Sequence, residues 1–154
     1  MISFTNEILI NQPIGRVFDF VSTMENNPLW NYYLVEVRKL DPEAKGVGAT
    51  YFQQRKTDSQ TFSITKLEPK RLLAIKTLPG SKPQVEREMR FQEKEGQTWI
   101  HDTMRIKTPL PVFIGKWLMK KPKAAVAENL SKLKELLETG STVLQDGRKV
   151  TLDS

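Results

Sequence analysis

Two segments of this chain constrain its fold more than any others. The first is the run Ile64-Thr65-Lys66-Leu67-Glu68-Pro69-Lys70-Arg71-Leu72-Leu73. Here a Glu-Pro-x-Arg-Leu turn joins two stretches with strand character. The second is the last long segment, from Leu110 to Glu138, which is amphipathic and Leu-rich. A strand, a tight turn and another strand form one corner of an antiparallel sheet. A long final helix can lie across such a sheet. A curved sheet closed by one helix encloses an apolar cavity, so the pattern points to ligand binding before catalysis.

The rest of the chain fits that plan. Phe4 to Ile10 alternates partly and reads as a strand, stopped by Asn11-Gln12-Pro13. Pro13 suits the start of a helix, and Ile14, Val17, Phe18 and Val21 follow at helical spacing to about residue 22. Pro28-Leu29-Trp30 reads as a short helical turn or loop. Five or six strands are then expected: Tyr33 to Leu40, Ala49 to Arg55, Thr61 to Leu67, Leu72 to Leu78, Val85 to Glu93 and Gln97 to Lys107. Short turns between consecutive strands imply an antiparallel meander.

The final helix is expected from about Val112. Val126, Leu130, Leu133 and Leu137 form its buried stripe, which Met119 and Val112 extend backwards in steps of seven. Pro122 should kink or restart it, because proline lacks the N–H and clashes with the preceding turn. Gly140 is the expected C-cap. Residues 141–154 look like an appendage, with Asp146-Gly147 as a hairpin signal. The expected domains are therefore 1–140 and a 141–154 tail that could form a small hairpin.

Composition closes off several kinds of chemistry. A 154-residue chain is one domain by size and can bury roughly 70% of its unfolded surface. It has no cysteine, which rules out disulfides and thiolate sites. Its single histidine, His101, rules out a multi-histidine metal centre. No metal and no cofactor is expected. No apolar run reaches membrane-span length, and the start lacks the pattern of a signal peptide, so a cytoplasmic location is expected.

The net charge of +6 is local. No acid occurs between Asp102 and Glu128, an interval that holds Arg105, Lys107, Lys116, Lys120, Lys121 and Lys123. These six account for the whole excess of 24 basic over 18 acidic residues. Such a field attracts anions: a carboxylate ligand, a lipid headgroup or a nucleic-acid backbone. Nucleic acid is the weakest fit, since the stretch offers no strand platform of stacking aromatics.

Taken in order, several short pieces resemble the START-like (SRPBCC) superfamily of helix-grip proteins. They are Ile10-Asn11-Gln12-Pro13 with Val17-Phe18-Asp19-Phe20, Asn27-Pro28-Leu29-Trp30 and Val47-Gly48-Ala49-Thr50-Tyr51. Leu67-Glu68-Pro69-Lys70-Arg71-Leu72, Gly96-Gln97-Thr98-Trp99-Ile100 and Asn129-Leu130-Ser131-Lys132-Leu133-Lys134 follow. The resemblance covers about residues 2–139 and includes polyketide cyclase/dehydratase-like, birch-pollen-allergen-like and lipid-transfer proteins. It implies an α+β helix-grip fold: a strongly bent seven-stranded antiparallel sheet around the C-terminal helix, with two short helices after the first strand. It also implies a cavity between helix and sheet, with its mouth near the start of that helix. It specifies the fold and leaves function open.

Strand alternation nominates the cavity wall. Thr98, Ile100, Asp102, Met104 and Ile106 share the more apolar face of their strand, and Met89 and Phe91 should join them. Tyr51 with Gln53, and Phe62 with Ile64, are expected to point inward, and Met119 and Val126 to close the cavity from the helix. All of these could equally be plain core. Asp102 is the sharpest residue. It could act as an acid or base or fix a ligand's polar end, or it could pair structurally with Arg55, Lys76 or Arg90. Tyr51 and Arg55 are the other catalytic candidates. His101 should face away; a register shifted by one residue would instead make it a proton relay. Glu86, Glu88, Glu93 and Glu95 alternate with Arg87, Arg90 and Lys94 and read as a solvated strand edge.

Phe113 and Trp117 lie off the helix stripe, next to Lys116 and Lys120. They form either a surface that docks on an anionic membrane or acidic partner, or ordinary packing if Pro122 shifts the helix phase. The expected function is binding or transport of a small hydrophobic ligand (lipid, isoprenoid or aromatic polyketide), with an anionic end as one option. The alternatives are a polyketide cyclase/dehydratase-like enzyme using the same cavity, and a docking module. A monomer or a homodimer fits equally well.

Overall fold

In the computed structural model, which describes residues 1–153, strand pairing follows chain order almost throughout. β1 (Ile2–Ile10) leads through α1 (Ile14–Ser22) and a 3-10 turn (Met24–Leu29) to six strands. These are β2 (Leu34–Lys39), β3 (Thr50–Arg55), β4 (Ser59–Glu68), β5 (Leu72–Thr77), β6 (Val85–Lys94) and β7 (Gln97–Ile106). The sheet order is β1-β7-β6-β5-β4-β3-β2, antiparallel throughout. Each short turn joins neighbours, and only β1 must cross to the far side of β7. The fold is the helix-grip α+β fold.

The turns follow their residues. In Glu68-Pro69-Lys70-Arg71, Arg71 N–H donates to Glu68 O at 3.0 Å, proline sets the first corner and Lys70 takes φ 62°. Thr65 sits in an irregularity between Ile64 and Lys66, a bulge that bends β4. A second lies between Leu34 and Glu36.

The expected long helix is two helices. α2 (Val112–Leu118) ends at Met119, and α3 (Lys120–Thr139) restarts there. Pro122 lies in the first turn of α3, where a missing N–H costs no helical hydrogen bond. The stripe therefore does not run back to Val112, which is exposed, and Met119 is only half-buried. Leu130, Leu133, Leu136 and Leu137 of α3 are buried against the sheet. Burial of each is worth about 1.5–3 kcal/mol. Gly140, at φ 88°, ends α3, and its N–H donates to Leu136 O at 2.9 Å.

α2 is seated on β1 by a glycine. A Cβ on Gly115 would lie 1.5 Å from Ile2 Cδ1 and 2.8 Å from Ile2 Cγ1, so only glycine allows this approach. After α3, β8 (Ser141–Val143) pairs with β9 (Lys149–Thr151). Leu144 and Val150 of this hairpin are buried in the main apolar cluster. Arg148 Nη2 donates to Pro28 O at 3.1 Å, and Thr142 Oγ1 to Glu135 Oε1 at 2.8 Å.

Candidate functional site

The C-terminal half of α3 fills the concave face of the sheet with leucines; its N-terminal half does not. Beneath Pro122, Ala125, Val126 and Asn129 lies a hollow of about 290 Å³. Its floor and walls come from Gln53 and Arg55 of β3, Gln60 and Phe62 of β4, and Ile75 and Thr77 of β5. Val85 and Arg87 of β6 and Met104 of β7 complete the sheet side, with Asn31 and Tyr33 from the segment before β2. The split has a simple cause. Four leucines point from one half of α3, whereas the first two turns offer proline, alanines and one valine.

The expected wall residues divide accordingly. Gln53, Phe62, Met104, Val126 and Arg55 line the hollow. Ile64, Phe91 and Ile100 do not; they belong to the close-packed core, with Phe91 edge-on to Phe18 at 5.0 Å. Met89 lies in a small crevice beside Trp30. Met119 sits at the junction of α2 and α3 and is absent from the wall.

Two of the three catalytic candidates are occupied elsewhere. Tyr51 is buried, stacked on Phe62 with ring centroids 5.3 Å apart, and does not itself line the hollow. Burial, reinforced by Glu25, pushes its phenol above the usual value. Arg55 lines the hollow but is clamped by Asp58, with Nε to Oδ1 at 2.5 Å and Nη2 to Oδ2 at 2.6 Å. That clamp holds Asp58 below the usual carboxyl range despite slight desolvation. Gln53 Nε2 donates to Gln60 Oε1 at 2.8 Å, and Gln60 Nε2 to Lys82 O at 3.0 Å.

Asp102 faces inward, with no exposed side-chain surface. Its partner is none of the three cations expected. Arg87 holds it in a fork, Nε to Oδ1 at 2.9 Å and Nη2 to Oδ2 at 2.5 Å. Register explains the pairing. Met89 stands directly opposite Asp102, so Arg87 is its diagonal neighbour on the same face. The reading of Arg87 as part of a solvated edge is therefore wrong on two counts. β6 lies between β5 and β7, and period two puts Arg87 on the same side as Met89 and Phe91. That alternation was the signal that could have found it.

Arg87 is 14% exposed and lies 5.8 Å from the Trp30 ring. Burial opposes its charge, but the Asp102 carboxylate overrides that and raises its pKa above the usual arginine value. Both forks of the pair are used, yet Nη1 has no hydrogen-bond partner among the described residues. Asn129 is similar. Its Oδ1 receives Gln145 Nε2 at 3.4 Å, and its Nδ2 is without a partner among the described residues. Neither Arg87 nor Asn129 was singled out from the sequence as a site residue. The hollow thus joins an apolar floor to a polar rim, and Arg87 Nη1 and Asn129 Nδ2 are among the N–H groups on its wall that have no partner among the described residues. Among the described residues no cluster of side chains could hold a metal ion.

On the opposite face of the sheet, His101 points away from the hollow, as alternation requires, with Nδ1 3.1 Å from Glu7 Oε1. Trp99, Arg90 and Arg105 line a shallow groove there of about 390 Å³. It is larger than the hollow, but no helix covers it. Its Glu88 already bridges Arg90 at 2.5 Å and Arg105 at 3.5 Å. Phe113 and Trp117 are 75% and 66% exposed, so Trp117 does not pack into the fold. No helix among the described residues is long and apolar enough to cross a membrane.

Comparison with known proteins agrees with this architecture. The family profile described as "Polyketide cyclase / dehydrase and lipid transport" matches residues 1–138. None of the curated protein sequences compared with the chain matches it. Among solved structures, the Aha1 dimer from Colwellia psychrerythraea superposes with a TM-score of 0.69 at 19% identity, over 91% of this chain and 98% of that one. The protein TTHA0849 from Thermus thermophilus gives 0.69 at 15% identity, over 86% and 94%. The di-domain ARO/CYC BexL of the BE-7585A biosynthetic pathway gives 0.70 at 13% identity, over 90% of this chain and 47% of that two-domain protein. At these identities the likeness is one of fold.

Proposed function

The chain belongs to the polyketide cyclase/dehydrase and lipid-transport family, and from that premise we propose that it binds a small, mainly apolar ligand beneath the first turns of α3. Arg87 carries this reading. It is a buried guanidinium on the wall of the hollow, fixed by Asp102, with Nη1 left free to donate. Asn129 Nδ2 adds a second donor. The apolar wall supplies affinity at about 25 cal/mol per Å² of ligand surface buried, and the donors set orientation.

The charge balance selects the ligand's polar group. Arg87 and Asp102 together are neutral. A carboxylate brought against them would leave one uncompensated charge in the hollow, which is costly. A carbonyl oxygen accepts the same N–H at no such cost. The preferred ligand therefore ends in a neutral acceptor, such as a ketone, quinone or ester, rather than an anion. At about 290 Å³ the hollow sits near the lower end of small-molecule sites, about 300–1,000 Å³. It suits one or two fused rings or a short isoprenoid rather than a two-chain lipid.

Carriage or sensing fits better than cyclisation. A cyclase of the kind expected would move a proton through Asp102, Tyr51 or Arg55, and Asp102, expected on the wall, is fully buried behind Arg87 and does not line the hollow. Tyr51 is turned into the core and Arg55 is clamped. The test is calorimetry with three ligands of one skeleton: acetylnaphthalene, ethylnaphthalene and naphthoate. The ketone should bind at least about tenfold tighter than the hydrocarbon, from one hydrogen bond to a charged donor. It should also outbind the carboxylate. Replacing Arg87 and Asp102 together by Met and Leu should erase the ketone's advantage. Tightest binding of naphthoate, or no binding of any of the three, would refute the proposal.

A further inference from the structure

α2 leaves a large apolar surface unpaired. Gly115 is turned to Ile2 of β1, Phe113 and Trp117 project from the opposite side of the helix into solvent, and Val112 and Leu118 on its flanks are exposed as well. Phe113 and Trp117 are one helical turn apart and so project together. Exposed lysines flank them at 107, 116, 120, 121 and 123, with no acid in the interval. Monomeric proteins seldom leave a cluster of large apolar side chains in water without a use.

We infer that α2 is the element by which this protein docks on an anionic lipid bilayer, its aromatic tip entering the interface and its lysines meeting the headgroups. Three observations favour a bilayer over other occupants. The patch is small, since a seven-residue helix is only about 10 Å long. A protein interface takes about 800 Å² from each partner, whereas shallow insertion at a membrane surface needs far less. A second copy would set lysines against lysines across a two-fold axis, with no acid between residues 103 and 127 of either copy to offset them. Trp beside Lys is the composition that the headgroup region accommodates, since ring and ammonium each reach their preferred depth.

The position gives the docking a purpose, and this part rests on the cavity reading above. α2 runs directly into α3, whose Pro122, Ala125 and Val126 line the hollow. A molecule dissolved in the bilayer would meet the mouth at the membrane surface and need not cross water.

The test is sedimentation of the whole protein with phosphatidylcholine vesicles, with and without phosphatidylserine. The protein should pellet only with the phosphatidylserine vesicles, and salt that shortens the Debye length from about 10 Å to about 3 Å should release it. Lys116→Gln with Lys120→Gln should weaken binding about 25-fold, at about fivefold for each lysine near the surface. Phe113→Ser with Trp117→Ser should abolish it while leaving ketone binding intact. No pelleting, equal pelleting with both vesicles, or self-association that disappears in Trp117→Ser would each overturn the inference. Failure here with ketone binding preserved removes the docking alone. Failure of ketone binding with vesicle binding preserved removes the cavity reading alone.

Discussion

Replacing Asp102 by Leu strands a guanidinium that is 14% exposed and has no other acidic partner within ion-pair distance among the described residues. Replacing Arg87 by Met strands a carboxylate with no exposed surface at all. Breaking a buried pair from one side costs about 3–5 kcal/mol. The Asp102 variant should fall at the lower end, because the remaining Arg87 keeps some contact with solvent. The Arg87 variant should fall at the upper end. For a chain of this size each kcal/mol lowers Tm by about 2–4 °C, so the singles should lose roughly 6–20 °C. The double variant removes both charges and fills the space with apolar groups. Such replacements are often neutral or better, so it should recover to within about 1 kcal/mol of the native protein. The assay is urea denaturation followed by tryptophan fluorescence, since Trp30 lies 5.8 Å from Arg87. The interaction energy from the cycle should exceed about 2 kcal/mol. Additive losses would show that the two groups are solvated independently, and the argument for a neutral ligand end would fall with the pair.

Two further outcomes follow from other parts of the fold. Gly115→Ala places a Cβ 1.5 Å from Ile2 Cδ1 and should lift α2 from β1, costing about 1–3 kcal/mol despite alanine's better helix propensity. Faster proteolysis between residues 108 and 119 should report it, and Ile2→Ala in the same chain should relieve it. Glu138 supplies an acid-sensitive tie between α3 and the end of β1. Burial pushes its carboxyl up, but Asn11 N–H at 2.7 Å and the Lys134 ammonium at 2.7 Å outweigh that and hold it below the usual 4.5. A lowered folded-state pKa means that its stabilisation is complete above about pH 4.5 and is lost as pH falls through the depressed value. Glu138→Gln should therefore lower stability at neutral pH and flatten the acid limb of urea midpoints against pH. An unchanged acid limb would show that Glu138 does not titrate with folding.

The elements were legible in the sequence because their causes are local. Alternation over Gln97–Ile106, the proline corner at Glu68-Pro69 and the leucine spacing of α3 each depend on residues a few positions apart. That Pro122 interrupts the helix was legible too, but the position of the break at Met119 was not, since the stripe was expected to run through Met119 to Val112. Inward direction was also readable for Asp102, Gln53 and Phe62, since it follows from period two once one apolar face is chosen.

What the tertiary structure decided was which inward residues border the hollow and which meet each other. Ile100 and Met104 share a face of β7, yet one is core and the other wall, because leucines cover the first and the start of α3 the second. Asp102 finds Arg87 only through the β6–β7 register, and Arg55 is lost to Asp58 across a turn. Trp117 is left outside because Gly115, not an apolar residue, is the point at which α2 touches the sheet. Periodicity assigns each side chain a direction. Only the packing of distant segments fixes the distance to what lies there, and at a few ångströms that distance separates an ion pair from a free acid.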